Sequence, residues 1–192
     1  SDFNDAIEFL NKTPAYEIPP AERFAGAGCY ALYYEGGFEI YRKLREREAH
    51  AYTHPIYTGK AVPSGWRTSR VSTSNTAVLC NRLREHSRSI EQAENLSLED
   101  FRCKFIILND VESDLITLVE AELIRRYKPL WNIVVDGFGN HDPGKGRYEQ
   151  ARSEWDVLHP GRTWAKKCMG KAPDLEKVIQ KVRSHLATVT LT

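Results

Sequence analysis

The chain has 192 residues, a formal net charge of +1, 41 % hydrophobic and 28 % charged residues. With a mean hydropathy of −0.51, this is the profile of a soluble globular fold, which excludes a disordered chain. No apolar run approaches the ~20 residues that a membrane span requires, so no membrane association is expected.

At roughly 150 residues per domain, one domain over 1–192 is expected. The opening SDFNDAIEFLNKT lacks a basic region followed by an apolar stretch. Cys29, Cys80, Cys103 and Cys168 form no C-x-x-C pair. Both features predict a cytoplasmic, reduced protein whose cysteines are small core hydrophobes and not a zinc knuckle.

In chain order, Asp5–Leu10 reads as a short helix stopped before Pro14, and Tyr16–Pro20 as extended chain ahead of two prolines. Ala27–Glu35 is a strand, rich in aromatics, ending at the turn Gly36–Gly37; Tyr30, Leu32 and Tyr34 share one face. Residues 38–53 suit strand or helix and are heavily charged. A second strand spans Pro55–Gly59, and 60–75 reads as a loop. A helix follows from about Thr76 to Arg88, with Ser74, Asn75 or Thr76 as its N-cap. Residues 102–108 form a third strand, and Ser113–Tyr127 a helix closed by Pro129. Residues 136–146 are a Gly-rich loop, and Pro173 opens a last amphipathic helix to Leu186. The expected class is α/β (α+β), with a small central mixed or antiparallel sheet flanked by helices.

The near-zero net charge hides a segregation. Residues 1–41 and 90–122 are acidic, whereas 42–89 and 123–192 are basic. Two basic blocks meeting in space would offer one positive face to a polyanion; otherwise they are solvated surface.

Two helices carry polar side chains where apolar ones are expected. On a wheel of 112–127, Glu120 falls within the arc of Ile116, Val119, Leu123, Ile124 and Tyr127. A carboxylate turned toward a core needs a cation, either a basic side chain in a structural ion pair or a metal ion. On 76–88, Arg82 and His86 lie one turn apart at the margin of the apolar side. Together they offer donors to one spot, and a phosphate suits the guanidinium fork. A lone histidine of this kind is otherwise an ordinary surface-edge residue.

These residues together resemble the GIY-YIG nuclease family. The signatures are Gly28-Cys29-Tyr30 and Tyr57-Thr58-Gly59, extended by Lys60-Ala61, then Arg82-x-x-x-His86, Glu120, and Asn132 closing Glu120–Asn132. The resemblance covers 27–135, with insertions at 36–54 and 60–75 and a C-terminal extension at 136–192. Tyr30 and Tyr57 stand 27 residues apart, farther than the family's usual short hairpin. Basic insertions of this sort resemble those of the family's type II restriction endonucleases, above all the branch that cuts CCGCGG.

The resemblance implies a site-specific, Mg²⁺-dependent DNA endonuclease of the bacterial cytoplasm, with Mn²⁺ as a possible substitute and a GC-rich palindrome as target. It would act as a homodimer on double-stranded DNA. Glu120 would hold the metal and Arg82 clamp the scissile phosphate. Tyr30 would be the general base, with His86 taking its proton or Lys60 lowering its pKa. Tyr57 would bond the phosphate or water, and Asn132 would anchor the backbone. Sequence reading would fall to Arg42, Lys43, Arg45, Arg47, Arg67, Arg70, Arg147, Arg162, Lys166 and Lys167, with arginine suited to guanine. The rivals are a repair or homing nuclease on the same core and a non-catalytic nucleic-acid-binding protein.

Overall fold

A computed structural model describes residues 2–47, 52–66 and 72–188. Four strands form one antiparallel sheet: β1 (Tyr16–Glu17), β2 (Gly28–Tyr34), β3 (Tyr57–Ala61) and β4 (Phe101–Ile107), in the order β1-β4-β2-β3. All seven residues of β2 are buried. A central strand covered on both faces can be apolar throughout, which accounts for its run of aromatics.

One face of the sheet carries α1 (Asp2–Lys12) and α4 (Ile116–Tyr127), which bury Ile7, Leu10, Ile116, Val119 and Leu123 against Cys29 and Ile106. The other face carries α3 (Val78–Gln92), α5 (Leu130–Ile133), α6 (Glu154–Leu158) and α7 (Leu175–Ala187). There Tyr30, Leu32 and Tyr34 meet Leu79, Leu83, Trp131, Trp155 and Val182. The α/β class with a small antiparallel sheet therefore stands.

The ambiguous stretch after the turn resolves into a 3-10 turn, Glu39–Tyr41, and helix α2 (Arg42–Arg47). It is more than a surface decoration, because Tyr41 is fully buried. Its hydroxyl bonds His159 Nε2 at 2.6 Å and accepts from Trp131 Nε1 at 2.9 Å, while His159 Nδ1 meets Asn95 Oδ1 at 2.9 Å.

Two local expectations are corrected. The second strand starts at Tyr57 and runs through Ala61, so Lys60 belongs to the sheet and not to a loop. Helix α3 begins at Val78 after an Ala77 that makes no side-chain cap, and Ser74 and Asn75 lie in a 3-10 turn ahead of it. Its start is served from the backbone instead. Leu79 N–H donates to Gly26 O (3.2 Å), and Gly26 N–H to Thr76 O (2.6 Å). Gly26 holds φ +127°, a conformation suited to glycine.

All four cysteines are free and buried. No helix among the described residues is long and apolar enough to cross a membrane.

Candidate active site

The sheet register brings the two signatures together. Gly59 pairs with Tyr30 and Tyr57 with Leu32, so the tyrosines project from one face despite their distance in sequence. Their rings lie 6.3 Å apart. A Cβ on Gly59 would stand 2.3 Å from Tyr30 Oη, so only glycine leaves room for that phenol.

His86 comes from α3 and completes the group. It is buried and not at a surface margin as its wheel position suggests, with 1 % of its surface exposed. Its Nε2 lies 2.6 Å from Tyr30 Oη. The reason for its burial is Phe138, which stacks on the imidazole at 4.5 Å and packs against Tyr57 at 4.9 Å. Burial drives the His86 pKa well below its ordinary value, helped by the Arg82 charge. Burial likewise raises the Tyr30 phenol well above its ordinary range, with Tyr57 adding to the effect and Arg82 opposing it. Tyr57 is raised for the same first reason.

Arg82 is the cation facing both phenols. Its Nη2 donates to Gly139 O at 2.8 Å and its Nη1 to Glu85 Oε2 at 2.8 Å. A Cβ on Gly139 would reach within 2.6 Å of Tyr57 Oη, so the Gly-rich loop passes close over this phenol. A cleft of about 250 Å³ opens beside the cluster, lined by Arg82, His86, Arg88, Asn140, His141 and Trp164 among others. A larger groove, about 790 Å³, runs between α1, β4 and residues 111–115 and is lined by none of the site residues.

Lys60 is one residue past Gly59, so the strand alternation puts it on the opposite face, level with Cys29. There its ammonium meets Glu120 Oε1 at 3.3 Å. The ion pair that the wheel position allowed is thus formed, with a lysine as the partner. The carboxylate is not sealed, since 21 % of the Glu120 side chain is exposed. β3 is the sheet's edge strand, and Glu120 is tied to it through Lys60. The Glu120 charge contributes to the raised pKa of both Tyr30 and Tyr57. Asn132 grips the same edge. Its Oδ1 accepts from Thr58 N–H (2.8 Å) and its Nδ2 donates to Thr58 O (2.9 Å), as a neighbouring strand would.

The structure therefore gathers Tyr30, Tyr57, Arg82, His86, Lys60, Glu120 and Asn132 around β3. Of the basic residues assigned to DNA, Arg42, Lys43, Arg45, Arg147, Lys166 and Lys167 are exposed. Lys43 donates to Leu186 O. The Arg47 side chain and all of Arg67 and Arg70 lie outside the described residues. Arg162 is a correction: it is 2 % exposed and holds Asp156 in a buried ion pair, so it is not free to meet a base. Sequence reasoning did not single out Glu85, Phe138 or Gly139. The two loop residues lie in the Gly-rich stretch, and no spacing in the sequence ties that stretch to Arg82 or His86.

A family model described as Eco29kI GIY-YIG domain matches residues 22–186. No curated protein matches the chain.

Proposed function

Because this chain belongs to the Eco29kI GIY-YIG domain family, a type II restriction endonuclease family, we propose that it cuts both strands of a short GC-rich palindrome, as a homodimer, with Mg²⁺. The nuclease class and the DNA substrate come with the family; the target, the metal and the residue roles are our reading. One observation carries it. Two phenols, a buried imidazole and a guanidinium converge on one face of β3, and a carboxylate reaches the same strand from the other.

Glu120 is the residue that would hold the metal. Among the described residues no group of three His, Cys, Asp or Glu side chains surrounds it. That suits Mg²⁺, which keeps several of its waters and needs one carboxylate plus phosphate oxygens, and does not suit zinc. The ion would stabilise charge on the phosphoryl and leaving oxygens. Lys60, whose ammonium lies 3.3 Å from Glu120 Oε1, would keep that carboxylate oriented.

Arg82 would bind the scissile phosphate. Its guanidinium is pre-set by Gly139 O and Glu85, so little ordering is needed on binding. Tyr30 would take the proton of the attacking water. A phenol with a raised pKa is not ionised at neutral pH, so it must release its own proton in the same event. The neutral imidazole of His86, in contact at 2.6 Å, is the acceptor in place for it. Tyr57, less buried than Tyr30, would donate to the phosphate or orient the water. Asn132 would hold β3 in register by its two bonds to Thr58. Among the described residues, exposed Arg42, Lys43, Arg45, Arg147, Lys166 and Lys167 are the candidates for DNA contact.

The test is digestion of sequenced plasmid DNA with Mg²⁺, with EDTA, and by Glu120→Gln. Discrete fragments whose ends map to one palindrome, lost in EDTA and in the variant, are expected. Cutting set by DNA structure or by a long asymmetric site would favour a repair or homing nuclease. Binding without cutting would favour a non-catalytic protein. Undiminished cutting by Glu120→Gln would remove the metal assignment.

A further inference from the structure

We propose that Arg162 is a positioning residue of the active site: through the loop 137–140 it sets the place of both Arg82 and His86. The inference rests on the nuclease reading above and concerns the C-terminal part of the chain, 136–192.

The loop is strung between two guanidinium groups. Arg162 Nη2 donates to Gly137 O (2.8 Å), and its Nη1 to Phe138 O (2.9 Å) and, at 3.5 Å, to Asn140 O. The one carbonyl left out of this sequence, Gly139 O, points the other way and accepts from Arg82 Nη2 at 2.8 Å. Between them, the Phe138 ring lies on the His86 imidazole, with planes 19° apart. Fixing the carbonyls at 137, 138 and 140 thus fixes two things at once: the acceptor for Arg82 and the ring that covers His86.

Arg162 is itself held hard. Its Nε and Nη2 fork onto the two Asp156 oxygens at 2.9 Å each. Its plane lies between the Trp155 and Trp164 rings, 4.8 Å from each centroid. Asp156 is also 2 % exposed, and the Ser153 hydroxyl donates to it at 2.7 Å. A buried pair of this quality is costly to break and serves geometry more surely than net stability. Lysine carries the same charge but has neither the fork nor the plane, so it cannot hold three carbonyls and one carboxylate in this arrangement.

The experiment compares Arg162→Lys with the wild type, with Asp156→Asn as a second variant. Each is measured for folding by circular dichroism, for kcat and KM on plasmid DNA, and for the Gly139 amide and His86 ring resonances by NMR without DNA. The expected result is a folded Arg162→Lys protein whose kcat per folded molecule falls roughly tenfold to a hundredfold, as for a displacement of about 1 Å. KM stays within about twofold, the size of a rim effect, and the Gly139 and His86 signals shift. An unchanged kcat, or a raised KM with kcat intact, would overturn the proposal; the latter would confine the part of Arg162 to substrate binding. Both variants being unfolded would also overturn it, by reducing the pair to general stability. If the wild type does not cut DNA, the nuclease reading fails separately, and the NMR comparison still decides whether Arg162 places the loop.

Discussion

Replacing Gly59 by alanine probes the placement of Tyr30 more sharply than removing the tyrosine would. The added methyl would stand 2.3 Å from Tyr30 Oη and 2.5 Å from Cζ, whereas ordinary contact begins at about 3.4 Å. Something must move by about 1 Å. The β3 backbone is held by its pairing to β2 and by Asn132, so the phenol has to give. Tyr30 is 1 % exposed, so it has no solvent to move into. Overpacking of this kind costs about 1–3 kcal/mol. Losing the bond to His86 brings the total to about 2–4 kcal/mol. For a chain of this size that lowers the melting temperature by roughly 4–16 °C. A shift of the phenol by about 1 Å would also slow cutting by about a hundredfold. The assays are thermal unfolding and plasmid nicking, with Gly37→Ala as control, because nothing lies within 4 Å of a Cβ built there. A Gly59→Ala protein that melts and cuts like the wild type would refute the placement of Tyr30 under this strand.

Other outcomes follow from the same packing. Burial holds both His86 and His159 below their ordinary value of 6.5, His159 at about 3. The unfolded chain therefore takes up protons first as pH falls. Stability is full above pH 6.5 and declines as the pH falls below it, down to about 3 for His159, by up to about 1.4 kcal/mol per pH unit for each imidazole. Melting curves that stay level from pH 6.5 to 5 would contradict this. Tyr41→Phe leaves His159 Nε2 and Trp131 Nε1 without the hydroxyl they share, and should cost about 2–4 kcal/mol in urea unfolding; a loss below half of the lower figure would mean the network is slack. Burial pushes the Cys29 and Cys103 thiols up to about 12, and all four cysteines are buried. Thiol titration at pH 8 should be slow in the native protein and count four groups in guanidinium chloride, and rapid labelling of the native protein would speak against this core.

The parts of the site legible in the sequence are those whose geometry is local. Tyr30 and Tyr57 sit on strands, where period-two alternation fixes their face. Arg82 and His86 share one side of α3 by the 3.6 period, and the same period turns Glu120 to the inward side of α4. What escaped depends on contacts distant along the chain. Burial of His86 is caused by Phe138, 52 positions later, and no local pattern encodes that stacking. The depth of Arg162 is a similar case: in sequence it is one more basic residue in a basic block. The local hint was its setting, with Asp156 six residues earlier and tryptophans at 155 and 164, since a guanidinium between two indoles beside a carboxylate is a buried arrangement. Lys60 stands in β3 and not in the loop that the sequence suggests, because Pro63 and Gly65 make the whole stretch read as irregular.

The contact between Tyr41 and His159 joins pieces of chain that lie 118 positions apart, one between the two signature strands and one in the tail. Each half of that lock is a polar group that would be stranded in oil if the other were withdrawn. Neither segment can therefore be traded independently. A chimaera that borrowed the tail of a relative would have to borrow residues 39–47 with it, so the two should vary as a matched set, inherited together.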